Sequence, residues 1–383
     1  MAIAPATFFT ESFEGQIDDL LMRICFELQL DDTRYKLAET SYQAVGKWLE
    51  SQTSVVLLRP TIYPQGSMCL NTTVKPLVGD EYDLDFVCEF SCGTTFFAQP
   101  VAALNLVEKA LRVSDVYGPM VERLNRCIRL NHTHKFHLDI LPACKDLKKG
   151  GTCILVPDRK LKDWTASNPK GYSSWFDERA RQLFVRRLLE RAEPIPSQEM
   201  AREKSPLKLC VQLLKRWRDI RYKNKSDVAP ISIVLTTLAA HFYGGAQSIT
   251  RAMGSILEGT SELARSSYPR LVVLNPTNPD EDFSEGWDAR PNTYREFVDG
   301  ITEFDAQWKA LLQTRGIHKI TSALERLLGE ELAKRVVEKQ AMDIEAARAT
   351  NQLGMKKGSG IIAGLTGSSV VPIRPNTFYG EAE

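Results

Sequence analysis

Several features that would point this chain toward other functions are scarce or missing. No two cysteines form a CxxC pair, and the eight present are scattered from Cys25 to Cys210. Cys88 and Cys92 lie close together, but no second pair follows, which argues against a structural zinc site and fits free thiols in a reducing cytosol. Net charge is nearly absent, since 49 basic residues against 48 acidic ones leave +1. A surface built throughout to grip nucleic acid is therefore not expected, although a local basic groove stays open. No apolar run approaches a membrane span, and Met1 to Glu14 lacks a basic region followed by a long apolar stretch. No repeat of constant period stands out. A soluble, cytoplasmic protein is expected. What is present is ordinary globular material: 43% apolar and 25% charged residues in 383, enough for two domains or one large one.

The front of the chain mixes helical and strand patterns. Ile17, Leu20, Leu21 and Ile24 recur at helical spacing, and a second helical stretch carries Tyr35, Ala38 and Tyr42. Val101 to Val113 reads as a short amphipathic helix. Glu81–Phe90, Cys127–Leu130, Phe136–Leu141 and Cys153–Val156 read as strands. Behind them Ser174–Arg191, Ser205–Tyr222, Pro230–Tyr243 and Thr321–Ala349 are all helical in period, and the proline-bearing segment from Pro194 to Ser205 reads as a connection. The division expected is an α/β unit with N-terminal helices over residues 1–195, a helical unit over 196–350, and a mobile or peripheral Gly- and Ser-rich tail over 351–383.

The most informative segment is Tyr82-Asp83-Leu84-Asp85-Phe86-Val87. Side chains two apart on a strand share a face, so Asp83 and Asp85 project together while Leu84 and Phe86 turn toward a helical layer. Two adjacent carboxylates repel unless a cation sits between them, and magnesium takes oxygen ligands that it shares with substrate phosphates. Taken alone, the pair fits two solvent-facing strand residues equally well. Two further features add to it. In Gln65-Gly66-Ser67 the glycine allows a phosphate close to the backbone and the serine adds a hydroxyl. In His137-Leu138-Asp139-Ile140-Leu141-Pro142 a lone aspartate interrupts an apolar strand, which is costly unless it binds metal, is paired, or sits at a solvated edge.

Pro64-Gln65-Gly66-Ser67, then Asp83-Leu84-Asp85, then Leu138-Asp139-Ile140-Leu141-Pro142 together resemble the polymerase-β-like nucleotidyltransferases. Within that superfamily the chain is most similar to the bacterial CD-NTases, relatives of cyclic GMP-AMP synthase and oligoadenylate synthase, and within these to clade G. The resemblance implies an α+β fold, with a nucleotidyltransferase core of mixed sheet and flanking helices plus a C-terminal helical domain. It implies two Mg2+ ions, replaceable by Mn2+, held by Asp83, Asp85 and Asp139. Gly66 and Ser67 would meet the donor triphosphate. ATP, GTP or other nucleoside triphosphates would be the substrates, and the product a cyclic di- or trinucleotide messenger in CBASS anti-phage defence, with accessory or effector proteins as partners and no obligatory nucleic-acid template.

Two helices of the back half offer further phosphate ligands. In Leu207 to Ile220, Cys210, Leu213, Leu214 and Trp217 form an apolar stripe, and Lys208, Gln212 and Lys215 fall on an adjoining face. Lys215 is either a solvated lysine or, as the resemblance implies for this helix, a phosphate ligand. In Ala229-Pro230-Ile231-Ser232 the proline suits the first helical position, placing Ser232 within the first turn among free backbone donors; a helix-start serine without function is the plainer alternative. His132, His134 and His137 form either a metal trio or a polar strand end. Trp164, Asn168, Pro169, Tyr172 and Trp175 suggest a lid or a packing loop, and Asn275 to Trp287 resembles a loop near the family's nucleotide pocket. The zinc insertion of the animal DNA sensor has no counterpart here. An RNA-tailing or AMP-transferring enzyme on the same core, and a non-catalytic nucleotide-binding scaffold, are the competing readings.

Overall fold

The computed structural model describes residues 13–77, 79–132, 136–180, 200–201, 203–350, 353–356, 362–364 and 370–372. Alternating apolar residues in the front half build a seven-stranded sheet: β1 (Thr61–Gln65), β2 (Tyr82–Phe90), β3 (Val121–Arg123), β4 (Ile128–His132), β5 (Phe136–Lys145), β6 (Ile154–Asp158) and β7 (Asp163–Ser167). The order β1-β2-β5-β4-β3 is continuous, and β6 links β5 to β7. β2 and β5 run parallel and the other neighbours antiparallel, which makes the sheet mixed as expected.

Helices in the front half are α1 (Phe13–Glu27), α2 (Asp32–Ser51), α3 (Thr53–Val56), α4 (Gly66–Cys69), α5 (Val101–Arg112) and α6 (Pro169–Arg179). One face of the sheet is covered by α2 and α5, whose Tyr42, Val45, Leu49, Leu104, Val107 and Leu111 pack against Leu84, Phe86, Cys88, Leu138 and Ile140. Burying each such side chain contributes about 1.5–3 kcal/mol, which fixes the strand faces: a one-residue slip would turn the aspartates inward.

The back half is helical: α7 (Pro206–Arg221), α8 (Ser232–Phe242), α9 (Ile249–Ser266), α10 (Gly286–Ala289), α11 (Pro291–Gln313), α12 (Ile317–Leu328) and α13 (Glu330–Ala349), with a hairpin of β8 (Leu274–Asn275) and β9 (Asn278–Asp282). α1 precedes the sheet but buries Ile17, Leu20, Leu21 and Ile24 in the helical cluster, and its Arg23 reaches Asp343 of α13 at 2.6 Å. α6 likewise gives Tyr172 and Phe176 to that cluster. The stretch expected as one helix over Thr321–Ala349 is two, broken at Gly329, where φ is +104° and an added Cβ would lie 2.9 Å from Ile220. α9 and α11 are additional to the elements read from sequence. The expected helix to Arg191 ends in the structure at Arg179, and its remainder, with most of the proline-bearing connection and the division at 195, lies outside the described residues. Of the tail, β10 (Leu353–Lys356), β11 (Ile362–Gly364) and β12 (Val370–Pro372) form an antiparallel sheet with β10 central, and the rest lies outside the described residues. Among the described residues no helix is long and apolar enough to cross a membrane.

Candidate active site

The face of the sheet left free by α2 and α5 carries the carboxylates. Parallel pairing sets Asp85 opposite Asp139 and Asp83 opposite His137, and paired residues of parallel strands point the same way. Asp83, Asp85 and Asp139 therefore stand on one face, from positions 54 to 56 residues apart in the chain for Asp139 and the Asp pair. Antiparallel β1 ends with Gln65 opposite Asp85, so Gly66 begins α4 directly beside that carboxylate. Gly66 has φ +65°, and an added Cβ would lie 2.5 Å from Asp85 Oδ2. Here the glycine has a reason beyond phosphate access: it makes room for the aspartate itself.

The crowding has an electrostatic signature. Burial, together with repulsion from Asp139 and Asp83, pushes the Asp85 carboxyl up to about 7. Asp83 is also raised, by burial and then by Asp139, although Arg129 pulls against both. Arg129 on β4 lies opposite Asp139 in the ladder; its Nε and Nη2 donate to the two Asp139 oxygens at 2.7 and 2.8 Å, and Nη2 also to Asp83 at 3.1 Å. Among the described residues no three His, Cys, Asp or Glu side chains close around one point as metal ligands do. The guanidinium instead bridges two of the three carboxylates.

Across the cleft stands α7. Ser205 caps its N-terminus by accepting from the Lys208 backbone N–H, and Pro206 occupies the first turn. Lys208, Gln212 and Lys215 are all buried, so the solvated alternative for this face does not hold. Lys215 Nζ donates to the carbonyl and hydroxyl of Thr72, both at 3.1 Å, Gln212 donates to the Thr73 carbonyl at 2.8 Å, and Arg216 to that of Lys75. α7 thereby clamps the segment that follows α4. Burial, with Arg218 adding repulsion, draws the Lys215 ammonium down to about 7.

A cavity of about 350 Å3 lies between these elements, lined by Gly66, Ser67, Asp83, Asp85, Lys215 and Ser232 among others. Six of the seven residues expected from sequence to hold metal or triphosphate thus share one cavity. Asp139 does not line it; it sits beside Asp85 and is engaged by Arg129. Ser67 Oγ accepts from the Thr73 hydroxyl at 3.2 Å. Ser232 is the first helical residue of α8, with Ile231 as cap, so Pro230 lies before the helix rather than at its first position. Its hydroxyl accepts from Arg218, one turn beyond Lys215 on α7.

The histidines do not form a metal trio among the described residues: His132 stacks on Phe136, with centroids 4.4 Å apart, His137 pairs with Glu81 at 3.1 Å, and His134 lies outside them. The aromatic stretch is packing rather than a lid. Trp164 on β7 meets Phe97, and Tyr172 on α6 bonds the Thr237 hydroxyl at 2.9 Å and packs edge-on against Phe283. Asn168 caps α6 and also donates to Thr277, tying α6 to the β8–β9 hairpin. The loop from Asn275 to Trp287 does border the cleft, lining one cavity of about 260 Å3 that reaches Asp85 and another of about 400 Å3 beside α8. Arg129, Arg218 and Thr72 escaped the sequence reading. Arg218 follows Lys215 by three residues and was visible in principle as a second cation on one helix face. Arg129 was not, because only the register of β4 against β5 brings it to the carboxylates.

Residues 16–180 match the family described as the Second Messenger Oligonucleotide or Dinucleotide Synthetase domain. The chain is 31% identical over 377 residues to a c-di-GMP synthase of Roseivirga ehrenbergii, covering 97% of this chain and 99% of the relative. It is 28% identical over 305 residues to the cyclic dinucleotide synthase CdnG of Bradyrhizobium diazoefficiens, covering 72% and 71% of the two chains. The solved structure of that CD-NTase in complex with GTP superposes with a TM-score of 0.71 at 23% identity, over 86% of this chain and 98% of that one. A relative of this identity, covered nearly end to end, shows the family: the chain belongs to the bacterial CD-NTases, nucleotidyltransferases that make cyclic oligonucleotides from nucleoside triphosphates.

Proposed function

We propose that this chain condenses two molecules of GTP into a cyclic dinucleotide, using divalent ions held by Asp83, Asp85 and Asp139. The observation that carries the catalytic part is the convergence of three carboxylates on one sheet face, opposite a buried lysine and a helix-start serine. The guanine part rests on similarity: a relative named as a c-di-GMP synthase and a structural neighbour in complex with GTP. Members of the family use divalent metal ions. An all-oxygen donor set fits magnesium or manganese, and a cation there would offset the burial and the like-charge repulsion that together raise Asp85. Two ions bound there supply Lewis acidity at the α-phosphate and neutralise the leaving pyrophosphate.

The chain's own residues do the rest. Asp139, beside the pair, accepts the proton of the attacking ribose hydroxyl. Ser67, Lys215 and Ser232 bind the donor triphosphate from the two sides of the cleft, Lys215 as a charge-assisted donor. The hydroxyl oxygen bonds to the α-phosphorus as the bond to the β-phosphate bridging oxygen breaks, and a second round closes the ring. In this reading residues 1–195 carry the chemistry, residues 196–350 close over the nucleotide, and the reaction runs in the cytoplasm as part of anti-phage defence, with effector proteins receiving the product.

Labelled nucleoside triphosphates offered singly and in pairs with Mg2+ test it. A phosphatase-resistant product from GTP alone, degraded by a nuclease to guanosine monophosphate, is expected. Mixed-base rings would overturn the guanine assignment only, whereas extension of added RNA without a cyclic product would overturn cyclisation.

A further inference from the structure

The acidic face carries its own cation. Ile128 and Leu130 are fully buried on the helix-covered side of the sheet, so strand alternation places Arg129 between them on the aspartate side. The ladder sets it opposite Asp139. Its guanidinium grips both Asp139 oxygens at 2.7 and 2.8 Å, the fork geometry of the strongest ion pairs, and spans to Asp83 at 3.1 Å. The side chain is 22% exposed, so it meets solvent and is not sealed in the core. A divalent ion shared by the three aspartates would draw on the carboxylates that this guanidinium now engages, both oxygens of Asp139 and one of Asp83. The two cations compete for the same negative charge, and a guanidinium beside a divalent ion is repelled by it.

We propose that Arg129 is a resident counter-ion, which holds Asp83 and Asp139 in place before a divalent cation arrives and is displaced from them when it binds. The proposal rests on the metal site of the preceding reading and adds an exchange step to it: one organic cation leaves the carboxylates as the metal enters. Arg129 is thus a positioning residue. In its presence the nucleotide-free protein binds divalent cation weakly, and the acidic face stays ordered without it.

The test is Mn2+ binding to the full nucleotide-free chain, followed by electron paramagnetic resonance, alongside melting in EDTA and in excess Mn2+. Arg129→Gln is expected to bind Mn2+ about tenfold more tightly than wild type, the scale of an ordinary coupling between two ligands. It should also melt lower in EDTA and recover most of the loss in Mn2+. Arg129→Lys, which keeps the charge but not the fork, should fall between the two, and it carries the test if the glutamine variant does not fold. Unchanged or weaker Mn2+ affinity in the variants, with equal melting losses with and without metal, would mean a structural role only and overturns the proposal. If wild type binds no more Mn2+ than Asp83→Asn with Asp85→Asn, the metal site itself fails and the exchange falls with it, a result distinct from the first.

Discussion

The two walls of the cleft hold opposite charges by different means. On the sheet side three carboxylates crowd together, two of them, Asp83 and Asp139, share one guanidinium, and burial with the repulsion of its neighbours leaves Asp85 raised to about 7. On the helix side the cations of α7 are each tied to a fixed acceptor, Lys215 to Thr72 and Arg216 to Lys75, and Lys215 is lowered to about 7 by burial. The acidic wall is disfavoured first by burial and then by like charges, and a divalent cation would relieve the repulsion. On the basic wall Lys215 is already bonded to Thr72 and gains only when a phosphate replaces or joins that acceptor. A site of this kind is organised before substrate arrives, at a cost in stability of the empty protein that binding repays.

The sharpest way to break this contrast is to remove the acidic wall. Asp83→Ala with Asp85→Ala should lower pyrophosphate release at least about a thousandfold, since several kcal/mol of transition-state stabilisation go with the ions. Its melting temperature without metal should not fall, because repulsion is removed along with function; an active double variant would contradict the site. Gly66→Ala comes next. The methyl would meet Asp85 Oδ2 at 2.5 Å in a backbone held at φ +65°, so both a loss of about 1–2 kcal/mol in stability and a drop of about a hundredfold in turnover are expected, read by melting and by initial rates.

Lys215→Met probes the other wall. Loss of a charge-assisted bond to phosphate should raise KM for nucleoside triphosphate about ten- to a hundredfold, while stability holds or rises because a buried charge has gone. A fall in stability with unchanged KM would make Lys215 a structural link to Thr72. The pH dependence of the empty protein sharpens the comparison further. Asp85 keeps its proton in the fold up to about 7, whereas the unfolded chain has released its own near 3.8, so stability drops as pH rises between these values. Lys215 has the reverse effect: the fold sheds its proton near 7 and the unfolded chain only near 10.5, so stability climbs again above neutrality. A minimum in melting temperature near pH 7, shallower with Mg2+, is expected in EDTA titrations; its absence would mean that the two walls do not carry these protonation states. Ser67→Ala should be mildest, about threefold to tenfold in kcat/KM, as for one neutral hydrogen bond.

The acidic wall was legible in the sequence because its rule is local. A period of two places Asp83 and Asp85 together, and apolar neighbours settle which face they take, as Leu84 and Phe86 do against α2 and α5. Asp139 was legible as an anomaly in an apolar strand, though its pairing with Asp85 was not. The basic wall was half legible. Helical period assigned Lys215 to a face, but its depth depends on the segment 72–75 lying across α7, which no spacing along the chain encodes. Arg129 was invisible for the same reason, since its partner strand and register are tertiary facts. α9 was readable, with Ile249, Met253, Ile256 and Leu257 recurring at helical spacing, whereas the break at Gly329 was masked by helical periods continuing on both sides. The lone glycine there was the signal.

The placement of α1 bears on how this protein can be cut. A fragment trimmed to the sheet-bearing portion, residues 16–180, would keep Ile17, Leu20, Leu21 and Ile24 yet lose the partners on α7, α9 and α13 that cover them. Such a piece would display a greasy stripe in water and self-associate, and one begun after the first helix would instead leave a matching furrow open among the later ones. The helical half is therefore finished only when α1 and α13 have both been made, whereas the sheet-side core needs neither.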